Sequence, residues 1–103
     1  MKIIQRLVDR IDDELSGAKM YAKLAHEYKI EYPRVSDKFI ELSEAEMNHH
    51  GILHKEVVKL IEEVRQTKGE PPADMLAVYN YEHEKQIKKA AMIRQMIEEY
   101  RNA

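Results

Sequence analysis

Apolar residues recur every three or four positions along most of the chain, which is the pattern of helices that each bury one face. The pattern is interrupted at Tyr32 and Pro33, and again over residues 67–72, which contain one glycine and two prolines. Proline is tolerated in the first turn of a helix but not in its interior, and glycine suits the position just after a helix end. We therefore predict three helices, over about residues 3–31, 33–67 and 72–101.

Short connections make consecutive helices antiparallel, and each helix would be roughly 40–50 Å long. A chain of 103 residues is expected to form one domain, residues 1–103. A domain of this size buries only about 60–68% of its unfolded surface, so a bound metal or a partner chain would add stability. The predicted fold is an all-α antiparallel bundle that is completed by dimerisation.

Three polar residues interrupt the apolar faces. Glu14 lies on the apolar face of the first helix, and Glu46 and His49 lie on that of the second. Residues three apart project from the same side of a helix. A carboxylate inside a bundle is costly unless something pairs with it. Folding the first two helices together at the turn near Tyr32 brings Glu14 within about one turn of the other two.

Two interpretations fit these three residues. Carboxylate and imidazole groups together suit iron, manganese or zinc, so the residues would be metal ligands. Alternatively, Glu46 pairs with a lysine at the edge of the buried face, and His49 is a core histidine bonded to water. A single Glu-x-x-His arises often by chance, but three polar residues at one depth of the bundle favour the metal site.

Composition excludes several other classes of protein. Cysteine is absent, which excludes disulfides, iron–sulfur clusters and thiolate zinc sites. The net charge is −2, with 17 basic and 19 acidic residues interleaved, so no basic patch indicates a nucleic-acid partner. No apolar run approaches the roughly 20 residues of a membrane span, and no signal-peptide run follows Met1. We therefore expect a cytoplasmic protein without a membrane partner.

The residues around the candidate ligands resemble the first half of the ferritin/rubrerythrin pattern. Glu14 is followed two turns later by Tyr21, and Glu46-x-x-His49 comes at a separation from Glu14 close to that of the family. The resemblance covers about residues 5–65. It implies a ferritin-like bundle with a di-iron centre, in which manganese or zinc would be substitutes. Glu14 would bridge or cap the metals, Glu46 would bridge them, and His49 would be a terminal ligand. Tyr21 would stand near the metals or be an ordinary core aromatic residue.

The second half of the family pattern is missing, because the chain has no fourth helix and no second Glu-x-x-His. The third helix offers His83 and Glu84 as further candidate ligands. Folding this helix back places His83 about 9 Å along the axis from the proposed site. A homodimer in which two hairpins of the first and second helices face each other would supply the missing half. Some ferritin-like proteins with half-length chains, such as the encapsulated ferritins, complete their centre in this way.

Other histidines lie outside this site. His54 with His83 and Glu84 would form a second polar cluster, either a hydrogen-bonded network or a metal site. His50 and His54 are four residues apart, a spacing that would also allow zinc to be chelated at the surface.

The resemblance implies an iron protein that oxidises Fe(II) with oxygen or peroxide. The sequence leaves open whether the centre turns over as a ferroxidase-type oxidoreductase, stores iron or only binds it. The alternative belongs to a different class: a metal-free helical adaptor or structural module, whose polar residues form a buried network that fixes the register of the helices.

Overall fold

A computed structural model describes residues 2–102, and over that range it contains three helices and no strand. The helices are α1 (Lys2–Tyr28), α2 (Pro33–Lys68) and α3 (Ala73–Asn102). They make the structure 92% helical, which confirms the predicted all-α bundle of three long helices. None of these helices contains a stretch long and apolar enough to cross a membrane.

The connection between α1 and α2 is set by Pro33. Proline disfavours the helical conformation in the residue before it, and Tyr32 accordingly has φ −134° and ψ 67°. The Tyr32 amide bonds to the Tyr28 carbonyl at 2.9 Å, which closes a turn at the end of α1. The first helix therefore ends at Tyr28, earlier than the predicted boundary near residue 31, and Pro33 begins α2.

Gly69 marks the other connection. It has φ 81°, a left-handed value that glycine adopts without strain. Its amide bonds to the Arg65 carbonyl at 3.2 Å and so caps α2. Pro71 and Pro72 follow, and α3 begins at Ala73, close to the predicted position.

Two buried serines fix the register between α1 and α2. Ser36 donates to the Ala25 carbonyl at 2.6 Å, and Ser43 donates to the Ala18 carbonyl at 2.7 Å. The order of these contacts shows that the two helices are antiparallel. Small side chains on both helices let them approach closely, and each hydrogen bond contributes on the order of 1 kcal/mol.

The third helix packs mainly on α1 and touches α2 least. Gln86 Nε2 donates to the Val8 carbonyl at 3.2 Å near one end, and Lys29 Nζ donates to the Tyr100 carbonyl at 2.7 Å near the other. Residue numbers increase along both helices from the first contact to the second, so α3 runs parallel to α1. The bundle measures 55 × 19 × 17 Å.

The position of α3 decides which side of the α1–α2 hairpin is buried. The main core includes Ile11, Leu15 and Ile93, which are almost completely inaccessible. The apolar face of α2 on which His49 was predicted to lie also carries Leu42, and it is only partly buried: Leu42 is 44% exposed, and the His49 side chain is 53% exposed. The expectation that this whole face is internal is therefore wrong for the single chain, because α3 covers the opposite side of the hairpin and leaves this one open. We refer to the uncovered side as the open face.

Candidate metal centre

Glu14, Glu46 and His49 come together at the open face. Each offers one ligand atom, and these atoms all lie within 4.8 Å of one another. His49 Nδ1 is 3.4 Å from Glu14 Oε2. The antiparallel pairing of α1 and α2 produces this convergence, since the contact between Ser43 and Ala18 lies one turn away. Within residues 2–102 no other set of three or more His, Cys, Asp or Glu residues forms such a group.

The three side chains differ in their depth. The Glu14 side chain is only 12% exposed, whereas His49 is more than half exposed. Glu46 is intermediate. The group is therefore a recess with Glu14 at its base and the imidazole at its rim, open to solvent or to a partner chain.

Glu14 is incompletely neutralised. Its Oε1 lies 3.5 Å from a guanidinium nitrogen of Arg10, an exposed side chain that also pairs with Asp13 at 3.1 Å. Its Oε2 is buried and accepts no hydrogen bond from any described residue as long as Glu46 is ionised. A buried carboxylate oxygen without a partner is destabilising, so the site favours a proton or a cation at this position.

The ionisation of each of the two carboxyl groups depends on the other. A hydrogen bond from Glu46 lowers the pKa of Glu14, assisted by His49 and opposed by burial. The same hydrogen bond, together with burial and the charge of Glu14, raises the pKa of Glu46. Glu14 therefore ionises at a lower pH than Glu46. Like charges this close cannot both ionise cheaply unless a cation replaces the proton.

Gly17 makes room for the Glu46 carboxylate. A Cβ atom placed on Gly17 would lie 3.2 Å from Glu46 Oε2 and 3.5 Å from its Cδ. Sequence reasoning missed this residue. The available signal was a glycine inside a helix, one turn beyond Glu14. Glycine there lowers helix stability by up to about 1 kcal/mol relative to alanine.

Tyr21 lies outside the three-residue group, two helical turns from Glu14 along α1. Its ring stacks on Phe39, with centroids 6.2 Å apart and an interplanar angle of 23°. Both rings are half-buried. Phe39 was not singled out from the sequence. Its ring covers part of the Tyr21 ring.

The structure does not bring His83 or Glu84 to the Glu14 group. His83 stacks on His54 instead, with ring centroids 4.7 Å apart, and Glu84 is exposed. This placement agrees with the axial offset expected from the sequence.

The residues present fit a divalent transition metal. Two carboxylates and one imidazole are the ligand types that iron, manganese and zinc accept in proteins. The buried Oε2 of Glu14 is available to bind a cation, and the absence of a side chain at Gly17 leaves space for the Glu46 carboxylate beside it. Three ligand atoms do not complete the coordination of one such ion, so further positions remain for a second set of ligands.

Comparison with known families agrees with this geometry. The sequence profile of the rubrerythrin family matches residues 6–103, which extends the similarity through α3. No curated protein and no solved structure gives a significant match to the chain.

Proposed function

The chain belongs to the rubrerythrin family, and from this we propose that it holds a di-iron centre on Glu14, Glu46 and His49. The observation that carries the proposal is the convergence of these ligand atoms within 4.8 Å, around a buried carboxylate oxygen that favours a proton or a cation. Manganese and zinc are accepted by the same donor set and would bind as substitutes.

Each residue has a distinct part in the proposed centre. Glu14 and Glu46 lie on facing helices and would hold the metals with their carboxylates, and His49 would be a ligand at the rim. Bound iron would supply the redox chemistry, the oxidation of Fe(II) by oxygen or peroxide. Because the ligands must be deprotonated, metal binding would displace any proton held between Glu14 and Glu46.

The proposed centre requires a second copy of the chain. Dinuclear carboxylate sites in this class take a Glu from each of two helices and a Glu-x-x-His from each of two others, and one chain offers half of that set. The open face carries this half, beside exposed Leu42 and half-buried Phe39 and Tyr21. A two-fold axis through the open face would place an identical set opposite the first and cover these apolar side chains.

Oxygen uptake after addition of Fe(II) tests the proposed activity. Wild-type protein should consume oxygen well above the rate of free Fe(II), and Glu46→Ala should remove most of that excess. Glu63→Ala, which changes an exposed acid on the same helix, is the matched control and should behave as wild type. An uptake that Glu46→Ala leaves unchanged would contradict the proposal. Binding of iron without oxygen uptake would limit the function to iron binding or storage.

A further inference from the structure

A second group of histidines lies between α2 and α3, apart from the Glu14 group. The rings of His54 and His83 are nearly parallel, at 5°, with centroids 4.7 Å apart. Tyr79 stacks on His83 in turn, at 5.8 Å and 7°. His50 lies one turn before His54 on α2 and is close enough to both histidines for their charges to interact.

These imidazoles are accessible and suited to binding a cation. All three histidines are only partly buried. Burial, together with the nearby His83, lowers the pKa of His54, which favours the neutral ring, the form that binds metals. Arg94 of α3 is close enough to His50 to lower its pKa by charge repulsion. The pair of His54 and His83 is therefore the better anchor for a cation.

We propose that His54 and His83, with His50 as a third ligand, form a separate site for a borderline divalent metal such as Zn²⁺ or Ni²⁺. Two histidines four residues apart on one helical face chelate such ions, and His83 adds an imidazole from a second helix. In the structure the stacked rings do not aim their nitrogens at one point. Metal binding therefore requires the His54 ring, which is partly exposed, to rotate out of the stack.

The ligand chemistry separates this site from the Glu14 group. Three imidazoles and no carboxylate favour Zn²⁺, Ni²⁺ or Cu²⁺ over Fe²⁺. Binding would tie α3 to α2, the two helices that contact each other least. The metal would therefore stabilise the docking of α3 on the hairpin.

The test uses the full chain carrying Glu46→Ala and His49→Ala, which removes the other site. Equilibrium dialysis against Zn²⁺ should find one ion per chain, and thermal unfolding should shift upward with Zn²⁺. Adding His83→Ala should weaken Zn²⁺ binding by more than about tenfold and remove the thermal shift. His26→Ala is the control, since His26 lies on α1 and bonds to the Met96 carbonyl. Binding that survives His83→Ala, or that His26→Ala reduces equally, overturns the proposal.

A second measurement covers the case in which a variant does not fold. Substoichiometric Ni²⁺ added to the folded Glu46→Ala/His49→Ala protein should selectively broaden the imidazole NMR signals of His50, His54 and His83. Equal broadening of His26 would contradict the site. The result is independent of the iron proposal, because wild-type protein with His54→Ala should still bind iron on Glu14 and Glu46.

Discussion

Gly17 on α1 lies against the carboxylate of Glu46 on α2, so closely that a Cβ at position 17 would be 3.2 Å from Glu46 Oε2. A glycine within a helix costs up to about 1 kcal/mol relative to alanine. At this position the absent side chain leaves space for the carboxylate of a proposed ligand. The site, and not the helix, therefore explains why a glycine is present.

Gly17→Ala should therefore improve the helix and weaken metal binding. The added methyl group displaces the Glu46 carboxylate by a few tenths of an ångström, which uses up most of the roughly 0.5 Å within which ligands must be held. We expect roughly tenfold weaker binding of metal, measured by titration of the metal-free protein. The unfolding free energy should change by less than about 1 kcal/mol, because the gain in helix propensity offsets the displacement.

Gly51→Ala is the matched control, since a Cβ at that position on α2 meets nothing within 4 Å. It should raise the unfolding free energy by about 0.5–1 kcal/mol and leave metal affinity unchanged. Equal losses of metal affinity in both variants would show that Gly17 has no specific relation to Glu46.

Replacing both Glu46 and His49 with Leu should abolish metal binding without destabilising the metal-free protein. A polar group exchanged for apolar packing is often neutral or stabilising, and the partial exposure of both residues limits the gain to about 1–2 kcal/mol. Urea unfolding in a chelator-treated buffer measures this. A loss of several kcal/mol would instead indicate that the two residues form a structural network, as the metal-free alternative requires.

Leu42→Glu should dissociate the proposed dimer. Leu42 is an exposed apolar residue on the open face, and a carboxylate there would be buried without a partner against the second copy. Sedimentation velocity should show a dimer for wild type and a monomer for the variant, with a parallel loss of metal. Val58→Glu, an equally exposed apolar position on another side of α2, should remain dimeric. A wild-type protein that is monomeric with metal bound would exclude the shared centre.

Tyr100 gives the bundle a dependence on alkaline pH. Its buried hydroxyl donates to Asp37 Oδ1 at 2.5 Å and lies 2.8 Å from Ser36 Oγ. Burial, and next the hydrogen bond to Asp37, raise the pKa of Tyr100 above its ordinary value. A raised pKa means that the stabilisation is complete below the unfolded value of about 10 and is lost as pH rises through the folded value.

Tyr100→Phe should accordingly lower the unfolding free energy by about 1–2 kcal/mol near pH 8. The difference from wild type should shrink above about pH 10, as measured by urea unfolding across that range. Tyr81→Phe, at an exposed position, should show neither effect. A difference between Tyr100→Phe and wild type that stays constant with pH would contradict the role of the buried hydroxyl.

Part of this structure could be predicted from local sequence. Pro33 and Gly69 act through backbone conformation alone, so the helix breaks were recognisable without knowledge of packing. Glu14, Glu46 and His49 were recognisable because these polar residues interrupt the regular spacing of apolar residues on two helices. Their convergence followed from the antiparallel hairpin that a short turn imposes.

Other features depend on packing that one sequence does not reveal. Ser36 and Ser43 are fully buried although serine is usually exposed, because each donates to a carbonyl of α1. The buried side of α2 was misjudged because it depends on where α3 docks, and α3 shows only a weak separation of polar and apolar faces. The fit of Gly17 to Glu46 likewise needs the distance between two helices.

The measurement that tests the central claim most directly is the amount of metal bound per chain. Wild-type protein made without an affinity tag, stripped of metal and refolded with Fe(II), should be compared with the Glu46→Ala/His49→Ala double variant by elemental analysis. A two-iron centre shared by two chains predicts about one iron per chain for wild type and almost none for the double variant, with helix content by circular dichroism unchanged. If wild type retains no more iron than the double variant, Glu14, Glu46 and His49 do not form an iron centre.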